Sequence, residues 1–101
     1  MNLQELFNDP TNWTQGVFAK RKSNNARVPC REVPRKNRDK FCFCLLGGIE
    51  ICYKPAMRQI IEQKLAAYIQ MNTDHPNVPQ FNDNPNTTIA DIQNLVKACN
   101  V

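Results

Sequence analysis

The chain has one histidine, one tryptophan and three glycines, and it contains no long apolar run. Each scarcity excludes something. A membrane-spanning helix needs roughly 18 or more consecutive apolar residues. The longest apolar stretch here begins at Phe41 and is broken at Glu50, so no membrane partner is expected. The N-terminus, Met1-Asn2-Leu3-Gln4-Glu5, lacks the basic segment, apolar stretch and small-residue cleavage site of a secretory signal, which points to the cytoplasm. His75 stands beside Pro76 in a loop-like stretch. No nucleophile–base pair, acid–base pair or glycine-rich phosphate loop is visible, and enzymatic activity is the secondary expectation.

Cysteine is the residue present in excess. Five in so short a chain could indicate a disulfide scaffold, but the number is odd and most sit where a helix would bury them. Reduced thiols fit better. Zinc could draw on Cys30, Cys42, Cys44, Cys52, Cys99 and His75. Structural zinc sites, however, use closely paired ligands on converging turns, and the close pair here is Cys42-x-Cys44 inside an apolar segment. No metal and no cofactor are expected.

With 42% apolar and 22% charged residues over 101 positions, the composition suits one globular domain with one core. The net charge of +4 is concentrated rather than spread: nine of the thirteen Lys and Arg residues fall between Lys20 and Lys40. The spacing predicts a mainly α domain of about four helices with one small β-hairpin near the N-terminus. A basic hairpin and connector occupy residues 16–40, and a helical core occupies 41–101.

The elements follow from pattern. Leu3, Leu6 and Phe7 have helical spacing that stops before Asp9-Pro10. Two β-prone pieces between Thr14 and Pro29 flank a polar Ser23-Asn24-Asn25 turn, giving the hairpin. Cys30 to Arg38, with Pro29 just before it, Pro34 within it and five charges, reads as an irregular solvated connector. Phe41–Tyr53 is assigned as the central helix on its length, although periodicity alone does not separate a buried helix from a buried strand. Gly47-Gly48 would weaken that helix unless another backbone packs very close. Pro55 suits a first helical turn, followed by Met57, Ile60, Ile61, Leu65, Tyr68 and Ile69 at three- and four-residue steps. Asn72 to Asn86 reads as loop. Thr88-Ile89-Ala90-Asp91 has the form of a capping box, leading into Ile92, Leu95, Val96 and Cys99 on one face.

Three segments together resemble a known pattern: Trp13-Thr14-Gln15-Gly16, then Phe43-Cys44-Leu45-Leu46-Gly47-Gly48, then Phe81-Asn82-Asp83 with Thr87-Thr88 and Asp91-Ile92. The chain is similar to a family of small bacterial and phage proteins built on a domain of unknown function. That family reads Trp-x-Gln-Gly, then Phe-Cys-x-x-Gly-Ala, then an aromatic, Asn-Asp and a threonine-capped helix. Gly48 stands where the family usually has alanine, and the helix before Trp13 is shorter than usual. The resemblance implies an architecture and a set of positions, and no reaction.

Two functional expectations follow. The first is a non-enzymatic binding module that contacts a protein, nucleic acid or nucleotide through phosphate or acidic groups. Its candidate contacts are Lys20, Arg21, Lys22, Arg27, Arg31, Arg35, Lys36, Arg38 and Lys40. Only Phe18 lies near enough in sequence to stack on a base, so sequence-specific single-strand recognition is not indicated. The second is a small cysteine enzyme or ligand-sequestering protein with a pocket at Trp13, Gln15, Cys44, Asn82 and Asp83. Nucleophilic chemistry would need Cys44 as thiolate, whereas its apolar neighbours Phe43, Leu45 and Leu46 favour the neutral thiol of a core residue. Trp13, Gln15, Asn82 and Asp83 are the ligand-binding candidates, and each also has a structural reading: Asn82 and Asp83 tying a loop to the last helix, Gln15 satisfying a buried amide, Trp13 plugging the core.

Overall fold

In the computed structural model, which describes all 101 residues, the chain opens with α1 (Leu3–Phe7). The Asn2 side chain accepts from the Glu5 amide while the Glu5 carboxylate accepts from the Asn2 amide, satisfying two donors that a helix start leaves unpaired. A 3-10 turn over Pro10–Asn12 follows, capped by Asp9. Strand β1 (Ala19–Arg21) leads to two more 3-10 segments, Cys30–Glu32 and Arg35–Lys40, and then to β2 (Phe41–Phe43). The helices α2 (Leu45–Cys52), α3 (Pro55–Asn72), α4 (Val78–Asp83) and α5 (Ile89–Cys99) complete the domain. Five α-helices therefore stand where about four were expected. None is long and apolar enough to cross a membrane.

The hairpin differs from the sequence expectation. The polar turn forms, with Asn25 at φ 58° and its amide bonded to the Arg21 carbonyl, but only a single bridge, Lys20 to Arg27, joins its arms. The main partner of β1 is β2, antiparallel, with Ala19 opposite Phe43, Lys20 opposite Cys42 and Arg21 opposite Phe41. Phe41–Phe43 is thus a strand and not the first turn of a long helix. Its aromatic residues suit a pleated surface, and all three side chains are buried. The connector likewise contains two short 3-10 segments where no regular element was expected.

Helix α2 starts immediately after this strand because the Cys44 sulfur accepts from the Gly47 amide and the Asn82 side chain accepts from the Leu45 amide. It ends before Pro55, which disfavours a helical conformation at Lys54. Arg58 then covers two carbonyls near the helix end, donating to Tyr53 and to Glu50.

The core is built from Leu3, Leu6 and Phe7 of α1, Phe43, Leu45 and Ile49, the Ile61–Leu65–Ile69 stripe of α3, and Ile92, Leu95 and Val96 of α5. On α3 the buried stripe is narrower than expected, since Met57, Ile60 and Tyr68 face solvent. The Thr88/Asp91 capping box forms as read, and the face Ile92, Leu95, Val96 and Cys99 is buried. Asn100 ends α5 in the left-handed region, and the following Val101 carbonyl accepts from the Gln4 amide, so the two ends of the chain are joined.

The stretch expected to be loop contains α4. The Asn77 side chain accepts from the Gln80 amide and Pro79 sits in the first turn, which starts a helix in spite of the surrounding Asn and Pro.

Candidate functional site

Helix α4 delivers Asn82 into the interior, 1% exposed, between the start of α2 and the segment after Trp13. Its side-chain oxygen accepts from the Trp13 indole at 2.8 Å and from the Leu45 amide at 3.0 Å. Its nitrogen donates to the Thr14 carbonyl at 3.2 Å and to the Asp83 carboxylate at 2.8 Å. The amide's hydrogen-bonding capacity is therefore fully used. Gln15 donates to the carbonyls of Asn82 and Asn84, at 2.9 and 2.8 Å, and the Gly16 amide donates to Asp83 at 2.9 Å. All five residues of the expected pocket, Trp13, Gln15, Cys44, Asn82 and Asp83, are brought together, but the polar groups of Trp13, Gln15 and Asn82 bond to the protein itself.

Beside this knot lies a cleft of about 150 Å³, whose lining includes Cys44, Asn82, Asp83, Phe18, Leu46 and Val78. Trp13 and Gln15 stand behind it. The Cys44 thiol, 9% exposed, occupies the N-cap of α2, where the Gly47 amide favours a thiolate. Burial outweighs that effect and pushes the thiol above its ordinary range. The remaining shifted thiols also move up: Cys30 to about 12 and Cys52 to about 11, both chiefly through burial, and Cys99 for the same reason. The cysteines do not converge. No group of three or more His, Cys, Asp or Glu residues is placed to hold a metal ion, and His75 packs edge-on against Phe81, with ring centroids 5.7 Å apart.

The basic tract is folded back on itself. The Lys22 amide donates to the Lys40 carbonyl at 3.0 Å, and Lys20 is bridged to Arg27, so cations distant in sequence become neighbours around the small sheet. Successive strand residues face opposite sides, so Lys20 projects from one face of the sheet. Arg21 projects to the other, where its guanidinium lies 5.1 Å from the Phe41 ring centroid. The tract's side-chain hydrogen bonds are confined to Lys22, which reaches Thr11 and Asn12, and Arg38, which reaches the Met1 sulfur. Arg27, Arg31, Arg35, Lys36 and Lys40 are exposed.

A second, larger cleft of about 520 Å³ opens where the turn meets α2, bounded by Phe18, Arg27, Arg31 and Glu50 among others. Glu50 was not legible as part of a site, because it lies 19 to 32 positions beyond Arg31, Arg27 and Phe18 and interrupts an apolar run. Helical spacing around Gly47 was the available signal.

Fold and site define a small, mainly α domain in which a buried asparagine ties the N-terminal segment to the central helix and a basic two-stranded ribbon caps one side. The chain belongs to the family of unknown function DUF6197, whose model matches residues 4–100. No curated protein and no solved structure matches it.

Proposed function

We propose that the chain is a small binding module that grips a phosphate-bearing partner through the basic face of its ribbon and the connector that follows. The observation that carries this reading is the backbone closure of Lys22 onto Lys40, which folds the two ends of the basic tract together. An anion laid over such a concentration of cations binds by charge attraction and by releasing bound counterions. The exposure of Arg35, Lys36 and Lys40 supports the reading, since these side chains are available without any rearrangement. The module acts in the cytoplasm of a bacterium or of a bacterium carrying a phage. Five free thiols, four of them buried, suit that reducing compartment.

A second reading, a cysteine enzyme or ligand-sequestering pocket, is favoured by one observation, the Cys44 thiol capping α2 at the edge of a cleft. It is the weaker one, because burial holds the thiol neutral and the neighbouring amides are already bonded.

Anisotropy of a labelled single-stranded oligonucleotide, titrated at several salt concentrations, tests the module. Each phosphate contact contributes about 0.7 to the salt slope on a single strand. Replacing Lys20, Arg35, Lys36 and Lys40 with Gln is expected to flatten the slope by up to about 3 while leaving the melting temperature within a few degrees. An unchanged slope removes the basic tract as the binding surface.

A further inference from the structure

We infer that the larger cleft is a nucleotide site, with the Phe18 ring as a stacking platform for the base and Arg27 and Arg31 as the phosphate clamp. This rests on the phosphate-binding reading above and names the chemical unit that the basic tract presents to the cleft.

Phe18 is 56% exposed, an apolar ring left in water beside two guanidiniums. It is not a loose surface residue. Its carbonyl accepts from the Cys44 amide at 3.3 Å, and its backbone lies against α2 so closely that a Cβ on Gly47 would overlap the Phe18 carbonyl oxygen. The backbone that carries the ring is held in place before any ligand arrives, so only the ring's own rotamer is left to order on binding. Stacking a base on an aromatic ring is worth about 1–3 kcal/mol and needs no particular base.

The two arginines supply planar forks suited to phosphate, and neither uses its guanidinium in the protein's own hydrogen bonds. Glu50 makes the cleft more selective than a simple anion trap. A bare phosphate meets two attracting charges and one repelling carboxylate. A nucleotide keeps its phosphate on the arginines and offers ribose hydroxyls or base N–H groups to the carboxylate. At about 520 Å³ the cleft falls within the range of small-molecule sites, roughly 300–1,000 Å³. The same chemistry could be met by a free nucleotide or by one nucleotide of a strand.

Calorimetric titration of the intact protein with nucleoside monophosphates, ribose 5-phosphate and a pentanucleotide decides the matter. Nucleoside monophosphates should bind at least tenfold more tightly than ribose 5-phosphate. Phe18→Ala should erase that preference without changing ribose 5-phosphate affinity, and Arg27→Gln with Arg31→Gln should weaken both at least tenfold. All three side chains are exposed, and melting curves establish that the variants are folded. A pentanucleotide binding more than tenfold tighter than the mononucleotide assigns the site to a strand, and equal affinity assigns it to a free nucleotide. No preference for nucleoside monophosphate over ribose 5-phosphate, or a Phe18→Ala protein that retains the preference, overturns the inference. Should the oligonucleotide still bind and respond only to the Lys20, Arg35, Lys36 and Lys40 replacements, the cleft fails while the binding module stands. Mononucleotide binding without oligonucleotide binding retains the cleft and removes the wider basic face.

Discussion

The Asn82 side-chain oxygen holds the Trp13 indole N–H and the Leu45 amide at the same time, at 2.8 and 3.0 Å, while its nitrogen holds the Thr14 carbonyl. Three segments far apart in sequence therefore meet at one amide. One of the bonded groups is the first N–H of α2, which has no partner inside its own helix.

Asn82→Ala should destabilise the protein by about 2–6 kcal/mol, because a buried donor left without a partner costs about 1–3 kcal/mol and two are stranded. Asn82→Asp preserves the acceptor but turns a second oxygen toward the Thr14 carbonyl and the Asp83 carboxylate. That variant should be weak at pH 7 and recover as the pH falls and the introduced carboxyl takes up a proton. Urea unfolding at pH 7 and pH 5 reads both. A loss below about 1 kcal/mol for Asn82→Ala would mean that water replaces the amide.

Adjacent glycines in α2 should behave oppositely. A Cβ on Gly47 meets backbone, the Phe18 carbonyl, which cannot yield without moving the loop. A Cβ on Gly48 would lie 3.0 Å from Leu3 Cδ2 and Phe7 Cζ, which are side-chain atoms able to shift slightly. Replacing a helical glycine by alanine also gains about 1 kcal/mol of propensity. Gly47→Ala should therefore cost about 1–3 kcal/mol through overpacking, and Gly48→Ala should stay within about 1 kcal/mol of the parent. Comparable losses in the two variants would contradict the packing described.

These glycines mark how far the sequence could be read. The pair in an apolar run signalled a close backbone approach, and the Thr88–Asp91 box, the Pro55 start and the Leu3–Leu6–Phe7 face are local patterns that local structure follows. Phe41–Phe43 was not legible as a strand, because an apolar run carries no period and its partner lies twenty residues away around a basic loop. Helix α4 was hidden by composition: Asn77 and Pro79 start a helix, yet the same residues dominate turns. At the site, the motif positions Trp13, Gln15, Asn82 and Asp83 pointed to one another, but their mutual bonding depends on a burial that no spacing encodes. Phe18 with Glu50 required the packing of the turn on α2.

Cys44 offers a direct comparison between the two functional readings. Its thiol is held up by burial against the pull of the Gly47 amide, so native protein at pH 7 should react with iodoacetamide more slowly at Cys44 than a free thiol does. Peptide mapping by mass spectrometry after timed alkylation gives the rate for each cysteine. A Cys44 faster than free thiol would place the thiolate chemistry of the second reading ahead of the binding module.

Alkaline pH should expose the buried thiols as a group. Burial lifts Cys30 to about 12 and Cys52 to about 11 from an ordinary 9.0, and Cys44, Cys99 and Tyr53 also move up. In each case the unfolded chain loses its proton first, so the stabilisation is complete below about pH 9 and declines as the pH rises toward 11 or 12. The urea midpoint, measured with reductant present, should hold steady from these groups between pH 7 and 8.5 and then fall. Cys30→Ala will start lower, because it leaves a cavity beside Gly47, but its decline above pH 9 should be shallower than the parent's. The slope, not the starting midpoint, carries the test. Equal slopes in the two proteins would show that the Cys30 thiol ionises as readily folded as unfolded, and the close burial of that side chain against α2 would be wrong.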